Sequence, residues 1–201
     1  MARSRNRAIV QQQVALRKKL WPQIEDKDLW LRNERTGFVT MPRAMPYLLT
    51  IMDGMNKGKR VSSTYLDLWC RVMDEMFLQI QSPANMAHAA GFEGERGVRT
   101  WRERMLWLRD HGFIDFKPGP SGEMSYAIIL NPYHVIRRHF DAKYPGITEG
   151  RYIALMARVN EIRAEDLDED LPDHPLKRPP PPPPAPPPSF AKDEMDDEIP
   201  F

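Results

Sequence analysis

The residues with the most specific chemistry in this sequence are the last nine, 193–201. Five acidic side chains there precede an isoleucine and a proline, and Phe201 is the last residue. An aromatic ring, a rigid proline and a terminal carboxylate suit a small apolar pocket with a basic clamp, while the acids steer the peptide toward a basic rim. We therefore expect a docking peptide that contacts a partner protein through Asp196, Asp197, Glu198, Ile199, Pro200 and Phe201.

A row of basic side chains lies on one face of a helix predicted from about residue 95 to Asp110. On a helical projection Val98, Trp101, Met105 and Leu108 share the face expected to meet the core. Arginines on the second helix of a helix-turn-helix contact phosphates and base edges in the major groove, whereas the alternative is a solvated charged face. The candidate DNA contacts are Arg96, Arg99, Thr100, Arg104 and Trp107 on this helix, and Lys117 in the strand that follows.

Trp107 is unusual on this polar face because an aromatic ring there loses burial unless something covers it. It can stack on an unpaired base, or it can pack against the N-terminal helix or a helix predicted over 148–163. Further phosphate contacts are expected from six basic residues near the N-terminus: Arg3, Arg5, Arg7, Arg17, Lys18 and Lys19.

No residue pattern predicts catalysis, a metal or a cofactor. The glycines around Gly54–Arg60 are spaced by three residues instead of four, and Arg60 stands where a phosphate loop needs Ser or Thr. The five histidines include no i,i+4 pair with a supporting acid, so a zinc site is not expected. Cys70 lies in a predicted helix without a neighbouring histidine, and we expect it to be a buried apolar residue.

The charge is divided unevenly along the 201 residues. Residues 1–163 carry 26 Lys and Arg against 17 Asp and Glu, which gives +9, whereas residues 164–201 carry 3 against 11, which gives −8. A basic body suits a polyanion, and the acidic end suits a different partner. The single cysteine fits a reducing compartment, and no apolar run reaches the roughly 20 residues of a membrane span. We expect a cytoplasmic protein.

The order of predicted elements indicates the fold class. A short basic helix over 7–20 is followed by a helix over 42–55 and by one capped at Ser62 or Ser63. Ser82-Pro83 opens a helix that closes at Gly91, and the arginine-bearing helix begins soon afterwards. Two alternating segments around a turn over 118–123 then predict a hairpin, and Asn131-Pro132 opens another helix. A last helix over 148–163 has Ile153, Met156, Val159 and Ile162 on one face, which fits packing on the body or on a second copy.

This order, with a helix that ends in Leu-Arg-Asp-His-Gly-Phe-Ile before the hairpin, resembles winged helix-turn-helix DNA-binding proteins over about 61–140. We expect a mainly α protein with a small β-hairpin, flanking helices and a disordered tail. The expected segments are a basic helical segment over 1–36, a winged-helix domain over 37–141, and a helix with an acidic segment over 142–170. A proline-rich linker over 171–192 and the tip over 193–201 follow; nine prolines in 179–188 predict an extended spacer of roughly 30 Å.

The last nine residues resemble the acidic tip of the bacterial single-stranded-DNA-binding protein family, whose usual ending is Asp-Asp-Asp-Ile-Pro-Phe. Only Glu198 differs, and it keeps the charge. The resemblance implies recruitment of helicases, exonucleases, polymerase subunits, primase or recombination mediators. It does not extend to the body, which lacks the regularly spaced strands of an OB-fold.

Together these features predict a non-enzymatic adaptor that binds DNA, duplex or single-stranded, and recruits bacterial replication or repair enzymes. A plasmid or another mobile element is the expected setting, and the protein is then a replication accessory or itself a single-strand binder. One alternative is a winged-helix transcriptional regulator that binds its operator as a homodimer. Another is an inhibitor that competes for the receptors of the tip.

Overall fold

The computed structural model describes the backbone of residues 2–32, 36–57, 59–165, 167, 171–173 and 175–176, and the side chains of these residues from Ile9 onward. The chain divides into two compact units, Met1–Thr40 and Met41–Phe201. None of the described helices combines the length and the apolar composition needed to cross a membrane. The predicted linker from residue 177 on, the disorder expected there and the docking tip lie outside the described residues.

The N-terminal unit is built on α1 (Ala2–Leu20), which contains the helix predicted over 7–20 and begins five residues earlier. A short 3-10 helix over Asp26–Asp28 follows, and its start is closed by reciprocal bonds between Glu25 and Asp28. Arg17 forms an ion pair with Asp26, so this basic residue already has an acidic partner within the unit.

The second unit contains six further α-helices and three strands among the described residues. In chain order they are α2 (Met45–Met55), α3 (Ser62–Arg71), β1 (Phe77–Gln79), α4 (Pro83–Ala89), α5 (Gly97–Asp110), β2 (Ile114–Gly119), β3 (Gly122–Ile129), α6 (Pro132–Asp141) and α7 (Glu149–Ile162). The strands form one antiparallel sheet in the order β1-β3-β2. The predicted mainly α class with a small hairpin is confirmed at this level, and β1 adds a third strand to the hairpin.

The core of this unit lies where α2, α3, α5 and the sheet meet. Tyr65, Trp101 and Phe113 are fully buried there, and the rings of Tyr65 and Phe113 meet edge to face at 6.1 Å. Leu48 and Met52 contribute the buried face of α2. Burial of one such side chain is worth about 1.5–3 kcal/mol, so this cluster holds α5 on the body.

Two of the predicted helix starts are confirmed by their caps. The Ser82 hydroxyl accepts a hydrogen bond from the Asn85 amide at 3.3 Å, and the Asn131 side chain accepts one from the Tyr133 amide at 3.0 Å. In both helices proline occupies the first position, where no intrahelical donor is needed.

The predicted serine cap of α3 is wrong. The helix begins at Ser62 itself, with Val61 as the capping residue, and the carboxylate that caps it comes from α2. Asp53 accepts bonds from the Val61 and Ser62 amides at 2.8 and 2.9 Å and from the Ser62 hydroxyl at 2.7 Å. Asp53 therefore ties the end of α2 to the start of α3.

The predicted apolar face of α7 is buried only in part, and Met156 and Ile162 are half-buried. Leu155 and Val159 are buried, whereas Ile153 is 56% exposed. Helix α7 packs on α2, where the backbones of Gly54 and Gly146 meet so closely that a Cβ on Gly146 would lie 2.3 Å from the Gly54 carbonyl oxygen. This close contact brings the segment just before α7 against the end of α2.

Candidate nucleic-acid interface

Helix α5 is placed by a tight connection from α4. Gly91 and Gly94 adopt positive φ angles of 82° and 76°, a conformation that glycine adopts without a steric penalty. Gly97 at the start of α5 is buried, and a Cβ there would lie 2.5 Å from the Phe92 carbonyl oxygen. Trp101, Met105 and Leu108 continue the buried stripe of α5, as predicted, whereas Val98 is only half-buried because Gly97 occupies that side of the helix.

The solvent face of α5 brings together Arg96, Arg99 and Thr100. Arg96 is exposed at the first turn, and Thr100 is half-buried one turn later. The Arg99 side chain is 81% exposed, and its Nε donates to Glu103 Oε1 at 3.3 Å across one helical turn. An exposed i,i+4 pair of this kind contributes only about 0.3–0.5 kcal/mol, so Arg99 can exchange Glu103 for another anion at low cost.

Arg104 is held differently from the other arginines of α5. Its Nε donates to the Arg60 carbonyl oxygen at 3.0 Å, and its guanidinium lies 6.0 Å from the centre of the Phe92 ring. Arg104 therefore joins α5 to the segment before α3 and to the α4–α5 connection. Lys117 lies apart from the arginines, on β2, where it is 72% exposed and lies 3.5 Å from the nearly buried Asp115 carboxylate.

Trp107 is covered by the C-terminal end of its own helix. Its ring stacks on His111 with the ring centres 3.8 Å apart, and Phe113 lies near-parallel at 6.0 Å. The sequence-based interpretation named the N-terminal helix or the helix over 148–163 as the covering contact, and it did not name His111. The turn at the end of α5 brings this ring back onto the indole.

His111 belongs to a buried polar cluster that sequence analysis missed. Its Nδ1 lies 2.8 Å from the Trp107 carbonyl oxygen, and its Nε2 lies 2.8 Å from the Tyr144 hydroxyl. His139 donates from Nε2 to the His111 carbonyl oxygen at 2.9 Å. Burial lowers the pKa of His111 to about 4 and raises that of Tyr144. The cluster locks the end of α5 to α6, and its residues are too far apart in sequence for a spacing rule to detect.

The residues considered for catalysis are placed as follows. Cys70 is exposed, which contradicts the expectation of a buried residue, because the buried stripe of α3 passes through Tyr65, Leu68 and Trp69 instead. Gly54 lies within α2, and the turn after it is closed by a 3.0 Å bond from the Lys59 amide to the Asn56 carbonyl oxygen. Among the side chains that the structure describes, no three His, Cys, Asp or Glu residues are grouped to hold a metal ion.

The site residues of the tip, from Asp196 to Phe201, are outside the described part of the chain, as is the structure of the linker that precedes them. Comparison of the sequence and structure with known proteins gives no match to a protein-family model, to a curated protein or to a solved structure.

Proposed function

We propose that this protein is a non-enzymatic DNA-binding adaptor of a bacterial plasmid or other mobile element. A winged helix-turn-helix body binds DNA through α5 and the hairpin, and the tip over 193–201 recruits replication or repair enzymes of the host. The observation that carries the proposal is the exposed arginine face of α5, which follows α4 after a tight glycine turn and precedes a hairpin that bears Lys117.

The packing of α5 supports this role for its solvent face. Its buried stripe is occupied by Trp101, Met105 and Leu108, so the opposite face is available for a ligand. Arg96 and Arg99 are exposed there, and the ion pair of Arg99 with Glu103 is weak enough to yield to a phosphate. Both arginines project from the body without taking part in its core.

Charge reversal on α5 tests the DNA-binding part. Arg99→Glu should weaken binding to a fluorescent duplex, and the salt dependence of log K should decrease by about 0.9 for each phosphate that the variant no longer neutralises. Lys143→Glu is the matched control, because it reverses the charge of an exposed residue that lies outside α5. Equal affinities and slopes for the two variants, both with normal circular dichroism, would remove this face from the interface.

Deletion of Phe201 tests the docking part. Burial of a phenylalanine side chain contributes roughly 1.5–3 kcal/mol, so affinity for an enzyme that binds the tip of single-stranded-DNA-binding protein should fall about tenfold to several hundredfold. The titration compares intact and Phe201-deleted protein, with a tip peptide as competitor. Equal binding by both proteins would disprove the docking role and favour a transcriptional regulator that binds its operator as a dimer. Enzyme binding without any DNA binding would favour the inhibitor.

A further inference from the structure

The solvent face of the sheet carries aromatic and apolar side chains that are not part of the arginine face of α5. Strand pairing sets Phe77 opposite Ile128, and it sets Tyr126 between Gln79 and Lys117. Directly paired residues project to the same face of a sheet. Phe77 is 44% exposed and Ile128 is 38% exposed. Leu78, which lies between Phe77 and Gln79 on β1, is 5% exposed and belongs to the opposite, core-facing side of the sheet.

Phe77 and Tyr126 place two near-parallel aromatic rings next to each other on this face. Their ring planes differ by 17°, and their centres are 6.1 Å apart. The Tyr126 ring lies across Gly119 of the neighbouring strand, since a Cβ on Gly119 would lie 2.4 Å from Tyr126 Cε2. The absence of a side chain at Gly119 therefore gives Tyr126 its place over the irregular end of β2, next to Phe77.

A positive charge lies directly beside these rings. Lys117 is the cross-strand neighbour of Tyr126, and its side chain is 72% exposed, whereas its ion-pair partner Asp115, 3.5 Å away on the same face, is nearly buried, so Lys117 is the member of the pair that a ligand can reach. Residues 41–163 carry 17 Lys and Arg against 13 Asp and Glu, which gives +4 for the part of the chain that bears the sheet. An exposed apolar patch with a cation at its border indicates a ligand that is both flat and anionic.

Unpaired nucleotides have this chemistry. In a duplex the faces of the bases are hidden in the stack, whereas a single strand can place each base on an aromatic side chain and its phosphate beside a cation. The rings of Phe77 and Tyr126 are adjacent, so two bases of one strand can use them.

We propose that the solvent face of β1, β3 and β2 binds single-stranded DNA by stacking bases on Phe77 and Tyr126, with Lys117 at the phosphate. The inference rests on the proposed function, because it assumes that the body binds DNA. It adds that the DNA is single-stranded and that the sheet is the surface that binds it. Lys117 is common to both proposals, whereas Arg96 and Arg99 belong only to the duplex surface and the two rings only to the sheet surface, so the surfaces can be tested separately through these residues.

The test compares oligothymidylate with an abasic oligonucleotide of the same length, both titrated against the full chain at one salt concentration. Oligothymidylate should bind more tightly, because only it has bases to stack. Replacement of both rings, Phe77→Leu with Tyr126→Leu, should weaken oligothymidylate binding by about five- to a hundredfold for each stacked base and leave the abasic strand unaffected. The matched control is Tyr47→Leu, which removes a ring that is 39% exposed on α2 of the same unit.

A second measurement uses the unaltered protein, so it does not depend on how well the variants fold. Irradiation with an oligonucleotide that contains 5-bromodeoxyuridine should crosslink peptides from β1 or β3, identified by mass spectrometry. Crosslinks confined to other elements, equal binding of the abasic strand, or tighter binding of the matched ribo-oligonucleotide would each overturn the proposal. A dimer that dissociates in the Phe77→Leu, Tyr126→Leu variant would also overturn it, because a second copy would then be the occupant.

The failure of this inference is distinguishable from failure of the proposed function. If the sheet is not the site, Arg99→Glu should still weaken duplex binding, while the ring replacements should leave the affinity for oligothymidylate unchanged. If the α5 interface is wrong, Arg99→Glu should leave duplex binding unchanged whatever the ring variants do.

Discussion

Replacement of His111 should remove a distinct pH dependence from the stability of the protein. The Trp107 carbonyl oxygen can only accept a hydrogen bond, so Nδ1 of His111 carries the proton and Nε2 accepts from the Tyr144 hydroxyl. A second proton would place a charge on a buried ring next to His139, with Asp110 as a partly compensating anion. Burial is the main cause that lowers the pKa of His111 from 6.5 to about 4.

The magnitude and sign follow from this pKa. Between pH 6.5 and about 4 the unfolded chain binds a proton at His111 that the folded protein does not bind, so the folded state loses stability as the pH falls. Each unit of pKa difference corresponds to about 1.4 kcal/mol. The full effect is therefore about 3 kcal/mol, and about 2 kcal/mol of it should disappear between pH 7.5 and pH 5. Above pH 6.5 this contribution is complete, and below about pH 4 it does not decrease further.

The assay is urea unfolding of the wild type and of His111→Gln at pH 7.5 and pH 5. The variant is expected to be less stable at both values, because it loses the stack on Trp107, but its free energy of unfolding should change less between them by about 2 kcal/mol. His88→Gln is the control, since it removes an exposed imidazole from α4. The same change with pH in wild type and His111→Gln would refute the buried, neutral state of His111.

Three further predictions concern the ends and the surface of the helices. Asp53→Ala should lower the free energy of unfolding by about 2 kcal/mol because it removes the acceptor for three bonds, whereas Asp53→Asn should restore much of this in urea unfolding. Ser82→Ala should cost about 1 kcal/mol by loss of the α4 cap, and a cost near zero would show that the bond to Asn85 is not needed. Glu103→Gln should release Arg99 and tighten duplex binding at low salt in an anisotropy titration; weaker binding to every sequence would contradict the α5 interface.

Local signals in the sequence were sufficient for most of the helices and for the hairpin. In Ser82-Pro83 and Asn131-Pro132 a capping side chain lies directly before a proline, and the amide that it caps is two or three residues further along the chain. These helix starts are therefore defined within one turn. The alternation from Ile114 to Ile129 is likewise a property of adjacent residues, and it predicted the hairpin that the structure contains.

Only the tertiary structure decided the features that join distant segments. The α3 cap comes from Asp53, eight residues before Val61. The hydrogen-bond partner of His111 Nε2 is the Tyr144 hydroxyl, 33 residues away. Cys70 and Ile153 are exposed because packing fixes the rotation of α3 and α7 about their axes. Hydrophobic periodicity predicts that rotation only to within about one residue. The sequence determined which segments are helical, since that depends on residues one turn apart, whereas the choice of partner for each face depends on contacts that form only when the chain is folded.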